Sequence, residues 1–559
     1  MKTLSCDLLV AGSGVGGFTA ALRGHTKGLE VIMVEKEPLF GGTSAYSAGM
    51  PWVPANPIAS KNGDTREKAR TYLQSEIGNL FDEEKIDAYL SNCNEAISFL
   101  ETTSSVRFIS QAVWSDYHPD LPGAAAEFRG LLPAVFDGRR LGKHFAELRP
   151  PLRSMMMFGG MMIGREDFPH FFNIRRSAKS ALYCTRIFLR YLLDRMFYSR
   201  GTRLTNGNAL VASLAAAAFE QGIPLWLSAP LKRLLTERGA VIGAIVARDG
   251  EDITVLTRKA VVLACGGFPW SEELKARHYS HVNAGKRHVS AAPRSNTGDG
   301  VFLARDAGGL FDDSATNPAA WAPVSLIAQS DGPPIPFPHF IDRAKPGVIV
   351  VDRRGRRFAN EAVSYHDFVP KMVESCRGDP EIEVFVIADH PTFRKYGLGA
   401  APPAPAPYRA FLRSGYLLRG QTIEGLARAA GIDAVGLDTT IVNFNTFAEQ
   451  GSDPQFGRGG DSYQRFNGDR SHRPNPCVGP IRTAPFYAVK MIPGDLGTFM
   501  GLKTDRFARV LGPAGPIPGL YAVGNDAASV FAGHYPGPGS TIGPAITFAY
   551  IAANHIDRH

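Results

Sequence analysis

Asp7-Leu8-Leu9-Val10-Ala11-Gly12-Ser13-Gly14-Val15-Gly16-Gly17 decides the fold of this chain, because an unbroken apolar run feeds at once into closely spaced glycines. The run reads as a buried parallel strand, and the residues that follow, to about Lys27, read as a helix. A second apolar strand, Val31-Ile32-Met33-Val34, ends in Glu35 and Lys36. Gly12 permits the tight turn, Gly14 lets backbone approach a pyrophosphate, and Gly17 lets helix and strand pack closely. The helix N-terminus beside Ser13 then faces phosphate, and Glu35 is placed to accept hydrogen bonds from ribose hydroxyls. A plain glycine-rich turn is the alternative. Strand, glycines, helix, strand and acid in this order favour a dinucleotide site, with Lys36 next to the acid.

At 559 residues the chain exceeds what one core supports, since single cores stop growing near roughly 250–300 residues. Two domains are expected. Hydrophobic residues make up 44% and charged residues 20%, a globular composition, and no run of apolar residues is long enough to span a bilayer as a helix. The first residues lack the tripartite order of a secretory signal, so a cytoplasmic protein is expected. Six cysteines at 6, 93, 184, 265, 376 and 477 form no Cys-x-x-Cys pair, which argues against a disulfide framework, a zinc site or an iron–sulfur cluster. No metal is expected.

The net charge of +8 is local: residues 139–203 hold fourteen Lys and Arg against four Asp and Glu, and the rest is nearly neutral. A short run, Met155 to Ile163, and a helix expected from about Ser177 to Tyr198 lie within this stretch. Along that helix Leu182, Leu189, Leu193 and Phe197 alternate with Lys179, Arg186, Arg190 and Arg195, an amphipathic pattern with a cationic rim. It suggests attachment to an anionic membrane surface, peripheral on the inner face of the cytoplasmic membrane; an oligomer interface is the alternative. Nucleic acid is disfavoured because no recognition motif accompanies the charge.

Three further segments separate FAD from NAD. Phe40-Gly41-Gly42-Thr43-Ser44-Ala45-Tyr46-Ser47-Ala48-Gly49 resembles the loop beside the flavin in the fumarate reductase and succinate dehydrogenase flavoprotein superfamily. Ala260 to Gly267, ending in Gly266 and Gly267, resembles its strand and turn returning to the adenosine half. Gly519-Leu520-Tyr521-Ala522-Val523-Gly524-Asn525 resembles its C-terminal strand. The resemblance implies an α/β fold: a Rossmann-like FAD-binding domain assembled from N- and C-terminal segments, 1–281 and 489–559, with an inserted α+β catalytic (capping) domain, 282–488. It implies FAD contacts at Gly42, Thr43, Ser44, Ser47, Gly266, Gly267, Gly524 and Asn525. Residues 36–52 contain no histidine, so FAD is expected without a covalent bond. No second glycine fingerprint follows a strand, so electrons are expected to leave to a quinone or another non-nicotinamide acceptor.

The closest resemblance is to 3-ketosteroid Δ1-dehydrogenases, carried by Pro493 to Thr498, Gly524-Asn525 and Tyr535-Pro536-Gly537-Pro538-Gly539-Ser540-Thr541-Ile542-Gly543. It implies that the Tyr535 hydroxyl and the Gly539 N–H hold the ketone oxygen of a 3-ketosteroid. Two fixed donors of this kind stabilise a developing enolate. A helix beginning near Thr541 and Ile542 would aim its positive end at the flavin. A rigid Pro/Gly turn with a packed tyrosine is the bland alternative.

Arg357-Phe358-Ala359-Asn360-Glu361-Ala362-Val363-Ser364-Tyr365-His366-Asp367 resembles the superfamily's capping-domain segment. Where fumarate reductases carry a proton-transferring arginine, this chain has Tyr365, which suits an uncharged ketone. The resemblance implies that Tyr365 abstracts the C2 proton as a phenolate. An ordinary tyrosine has a pKa near 10, so a neighbour must lower it or share its proton. Tyr117, in Trp114-Ser115-Asp116-Tyr117-His118, is the candidate; a surface aromatic is the alternative. His366 is left out because neighbours in an extended segment point to opposite faces. Trp321, Phe337, Phe340 and Phe531 are core or pocket lining. Three other functions stay open: a 3-ketosteroid Δ4-dehydrogenase, a fumarate reductase-like flavoprotein, and a non-catalytic flavin-binding membrane scaffold.

Overall fold

The computed structural model describes residues 2–110, 115–174 and 176–558. Trp114 lies outside the described residues, as does Arg175 of the basic stretch. The quoted N-terminal run becomes the strand Lys2–Ala11, whose inner half is completely buried, followed by the helix Val15–Thr26 and the strand Val31–Val34. Lys2–Ala11 lies at the centre of a sheet, parallel to Val31–Val34 on one side and to Glu251–Leu263 on the other. Gly515–Ala522 adds in parallel beyond Glu251–Leu263, and Leu225–Trp226 beyond Val31–Val34. Burial on both faces explains why these strands read as continuous apolar runs rather than alternating ones.

About 240 residues of sequence separate Lys2–Ala11 from its neighbour Glu251–Leu263, and about 250 more separate that strand from Gly515–Ala522 in the same sheet. What closes it is the C-terminal helix Ile542–Arg558, which packs on Val15–Thr26 and on the long helix Glu83–Thr103. Antiparallel strands Leu231–Glu237 and Ala240–Arg248 extend the sheet beside the outer half of Glu251–Leu263.

Between the two ends of the chain lies a four-stranded antiparallel sheet in the order Val348–Val351, Val384–Ala388, Phe486–Met491, Leu417–Gly420. Its faces are covered by helices including Tyr365–Ser375 and Ala434–Ala448. This is the inserted α+β part that the sequence implies. Strand Gly494–Thr498 links the two parts, pairing with both Val289–Ser290 and Ala319–Trp321.

The basic stretch forms the helix Ala178–Phe197, capped by the Ser177 hydroxyl. Only Ser180, Cys184, Ile187, Tyr191 and Asp194 of it are buried, a narrow stripe that rests on Met161. Leu182, Leu189, Leu193, Met196 and Phe197 face outward, Phe197 at 80% exposure. None of the described helices is long and apolar enough to cross a membrane.

Candidate active site

The glycine turn is as tight as its sequence requires. A Cβ on Gly12, where φ is +108°, would lie 2.1 Å from the Ala264 carbonyl oxygen, and one on Gly17 would lie 2.0 Å from the Gly12 oxygen. Gly42 and Gly524 behave differently. A Cβ on Gly42 would meet only the Gly14 Cα at 4.0 Å, and one on Gly524 only the Ala545 Cβ at 4.0 Å. Their bare faces border open space at the helix N-terminus, a cradle that fits a pyrophosphate and the chain beyond it.

The polar residues around this cradle are individually anchored. Glu35 receives hydrogen bonds from the Ser13 N–H and hydroxyl, and the Ser13 hydroxyl in turn accepts from the Gly41 N–H. The Ser44 hydroxyl accepts from the Val15 N–H at 3.0 Å, and Thr43 from the Asn296 amide at 2.8 Å. Ser47 donates to the Ser44 carbonyl. Lys36 turns away onto Asp299 at 2.7 Å and Thr297 at 3.0 Å.

Asp526 escaped sequence reasoning, although it directly follows Asn525. Its buried carboxylate accepts from the Cys265 and Gly267 N–H groups, fastening the Gly266-Gly267 turn to the C-terminal strand. Burial pushes its pKa up to about 6 despite those bonds.

The second group of residues comes together from four distant segments. Tyr117, Tyr365, Tyr463 and Tyr535 form one buried cluster with Ala320, Ala322 and Phe499, flanked by Phe340 and Leu496. The Tyr117 and Tyr365 hydroxyls share a hydrogen bond at 3.0 Å. Tyr117 stacks on Tyr535 with ring centroids 5.4 Å apart, and Tyr365 meets Tyr535 edge-on at 5.5 Å. Tyr463, which no motif marks, packs 4.9 Å from Tyr117.

Local structure explains each position. Tyr365 is the first residue of the helix Tyr365–Ser375, capped by the Ser364 hydroxyl. The approach to it is fixed by a buried ion-pair network in which Arg357 binds both Glu361 and Asp453, while Arg458 also reaches Glu361. The Arg357 and Glu361 of the quoted motif thus hold the backbone that delivers the tyrosine. Tyr117 is held by its own N–H, which donates to the Pro536 carbonyl at 2.9 Å; the Tyr72 hydroxyl donates to the same oxygen at 2.6 Å. Gly539 has φ +99°, and a Cβ there would lie 2.3 Å from the Met50 carbonyl oxygen, so only glycine serves. Its carbonyl accepts from the Trp52 and Gly543 N–H groups.

One expectation needs correction. The segment at His366 is helical rather than extended, and His366 is a buried brace: its Nδ1 accepts from the Trp321 N–H and its Nε2 donates to the Gly533 carbonyl. Burial pulls its pKa down to about 4, so the ring is neutral. Of the two ways a neighbour could help Tyr365, the structure offers sharing: its hydroxyl is raised well above its ordinary value by burial, with Tyr117 and Tyr535 adding to the rise. Tyr117 shares its proton but does not acidify it.

Of the four aromatics named as core or lining, Phe340 packs 5.0 Å from Tyr365. Phe531 is wedged between Trp52 and Tyr89, and Trp321 against Tyr279 and His288. Phe337 sits on the hairpin strand Ile335–Pro338, against His339.

An FAD-binding domain family model matches residues 7–542. The 3-oxosteroid 1-dehydrogenase of Mycobacterium tuberculosis (strain ATCC 25618 / H37Rv) is 34% identical across the whole chain and 99% of its own length. The chain belongs to the 3-oxosteroid 1-dehydrogenase family. Another relative, the 4-oxocyclohex-2-ene-1-carboxylate 5-dehydrogenase of Sinomonas cyclohexanicum, is 41% identical over 559 residues, all of this chain and 94% of that one. Among solved structures, the 3-ketosteroid delta1-dehydrogenase from Sterolibacterium denitrificans in complex with 1,4-androstadiene-3,17-dione superposes with a TM-score of 0.90 at 33% identity, covering 99% of each chain. A flavocytochrome c3 fumarate reductase shares the fold at 22% identity and TM-score 0.66. This family member is accordingly an FAD-dependent oxidoreductase acting on CH–CH bonds, and the open cradle around Gly42 and Gly524 fits its cofactor.

Proposed function

We propose that the chain desaturates the bond between C1 and C2 of a 3-ketosteroid, with Tyr365 as base and Tyr535 and Gly539 as the donors to the ketone oxygen. The observation that carries this reading is the cluster of Tyr117, Tyr365 and Tyr535 with aliphatic and aromatic neighbours. Tyr365 removes the proton from C2, and Tyr117, hydrogen-bonded to it, shares that proton. The Tyr535 hydroxyl and the Gly539 N–H stabilise the enolate; among the described residues nothing in the protein accepts from that N–H. Ala320, Ala322, Phe340 and Leu496 exclude water from the reacting carbons. FAD, held non-covalently along Gly12, Ser13, Gly14, Gly17, Glu35, Gly42 to Ser47, Gly266, Gly267, Gly524, Asn525, Thr541 and Ile542, supplies the hydride acceptor.

Anaerobic mixing of the FAD-loaded protein with androst-4-ene-3,17-dione tests this: the yellow colour is expected to bleach and the product to be two mass units lighter. A flavin that stays oxidised would refute it. The relative from Sinomonas cyclohexanicum supports a second reading, a small cyclic keto acid as substrate. Bleaching by 4-oxocyclohex-2-ene-1-carboxylate but not by the steroid would select it. The apolar neighbours of the tyrosines favour the uncharged steroid.

The helix Ala178–Phe197 is the part we assign to an anionic membrane surface. Its outward row of Leu182, Leu189, Leu193, Met196 and Phe197 is rimmed by exposed Lys179, Arg186 and Arg195. Apolar burial and basic side chains, about 1 kcal/mol each near anionic lipid, act together there. Such a position suits delivery of electrons to a quinone.

A further inference from the structure

Beside the tyrosines runs a charged contact that the reaction as described does not use. His118 follows Tyr117, and Asp367 lies two residues after Tyr365. His118 Nε2 is 2.8 Å from Asp367 Oδ2, while His118 Nδ1 makes an off-axis ion-pair contact of 2.8 Å with Glu76 Oε2. Glu76 projects from the helix Arg66–Ile77 with its side chain only 5% exposed; its other oxygen is 3.6 Å from His534 Nδ1, one residue before Tyr535. The Ser364 hydroxyl donates to Asp367 at 2.6 Å, and the His118 N–H donates to the Tyr72 hydroxyl at 3.4 Å. Glu76, His118 and His534 belong to the part built around the nucleotide fold, whereas Asp367 sits in the first turn of the inserted part's helix.

We propose that Glu76, His118 and Asp367 form a positioning bridge, in which His118 ties the helix that begins at Tyr365 to the segment that carries Tyr117. The proposal rests on the assignment of Tyr365 as base. It follows from the connectivity: the only hydrogen bond between the two tyrosines is a single hydroxyl pair at 3.0 Å, which two oppositely charged neighbours, each within two residues, hold in register. Displacement of a reacting group by about 1 Å can cost on the order of 100-fold in rate. The charge state supports the geometry. Burial opposes protonation of His118, but Asp367 and Glu76 push its pKa up to about 10. Asp367 is half-buried beside the same cation, which holds it down at about 2. The groups facing His118 are thus Glu76, Asp367, the more distant His534 and the neutral His366, and the cation is present throughout the neutral range.

The test uses FAD-loaded protein and stopped-flow reduction by androst-4-ene-3,17-dione. His118→Gln and Asp367→Asn are each expected to retain FAD and to slow flavin reduction about 10-fold or more, with little change in the steroid concentration giving half-maximal rate. The double variant, which removes both ends of the His118–Asp367 contact, is expected to be no slower than the slower single variant. Asp367→Asn also removes one of two carboxylates from His118, so its rate should acquire a fall between pH 7 and 10 that is absent from Asp367→Asn combined with His118→Gln. Additive losses, wild-type rates in both single variants, or loss of FAD from both would overturn the proposal. If the wild-type protein itself is not bleached, the functional assignment fails instead, so the two failures are told apart.

Discussion

Around Gly12 to Gly17 the contacts are made by backbone, with a Cβ on Gly17 landing 2.0 Å from the Gly12 oxygen; around Tyr365 they are made by side chains gathered from positions 117, 365, 463 and 535. A backbone turn this tight has no room for a Cβ at Gly12 or Gly17. A side-chain cluster can lose one hydroxyl and keep its shape, because the rings still pack. The two regions should therefore separate cofactor retention from turnover, and substitutions in each can break or sharpen that contrast.

The largest effect is expected from Gly17→Ala or Gly12→Ala. Either Cβ would collide with a backbone oxygen that cannot move freely, at a cost of about 3 kcal/mol or more, so the purified protein should be almost colourless. Normal FAD content, read from the ratio of visible to ultraviolet absorbance, would show that the turn is not the rigid part. Next comes Tyr365→Phe, expected to stay fully yellow while flavin reduction falls by about 10²–10⁴-fold. Tyr535→Phe should follow with a loss of about 10²–10³-fold, again with FAD retained. If either tyrosine variant lost its flavin, the contrast between the regions would collapse.

A pH series sharpens the comparison further. Burial raises the Tyr365 hydroxyl above its usual range, and a base acts only after losing its proton, so flavin reduction should climb with pH without levelling by about pH 9. His118 bears on stability with a different sign. Its folded-state pKa is raised from 6.5 to about 10, so its contribution is complete below pH 6.5 and is lost as pH rises through 10. Tm measured across that window should decline, and less steeply in His118→Gln. The smallest effect on chemistry is expected at the outward face of Ala178–Phe197. Leu193→Glu with Phe197→Glu should leave flavin reduction by the soluble steroid unchanged while abolishing sedimentation with phosphatidylglycerol vesicles. Retained vesicle binding would remove that face from membrane attachment.

The nucleotide half was legible because its signal is local: an apolar strand, glycines at fixed offsets and an acid after the next strand all fall within thirty residues. Tyr365, Tyr535 and Gly539 were legible only through family resemblance, since nothing in their spacing shows that they meet. Tyr463, Asp526 and Glu76 stayed hidden for that physical reason. Each works through partners far away in sequence, as Asp526 does through Cys265 and Gly267, and an isolated aspartate or tyrosine carries no mark of its eventual neighbour. The error at His366 had a different origin. Ser364 caps a helix there by accepting from the Asp367 N–H, a Ser-x-x-Asp cap that is legible in the sequence and excludes extended chain.

One oxygen atom ties much of this together. The Pro536 carbonyl accepts both the Tyr72 hydroxyl and the Tyr117 N–H, so the loop bearing Tyr535, the segment bearing Tyr117 and the helix Arg66–Ile77 are clasped at a single point. Domain shuffling between relatives would have to respect this clasp. A graft of the 533–541 loop alone should arrive misaligned, whereas one that brings residues 66–77 and 115–118 along should carry its selectivity with it.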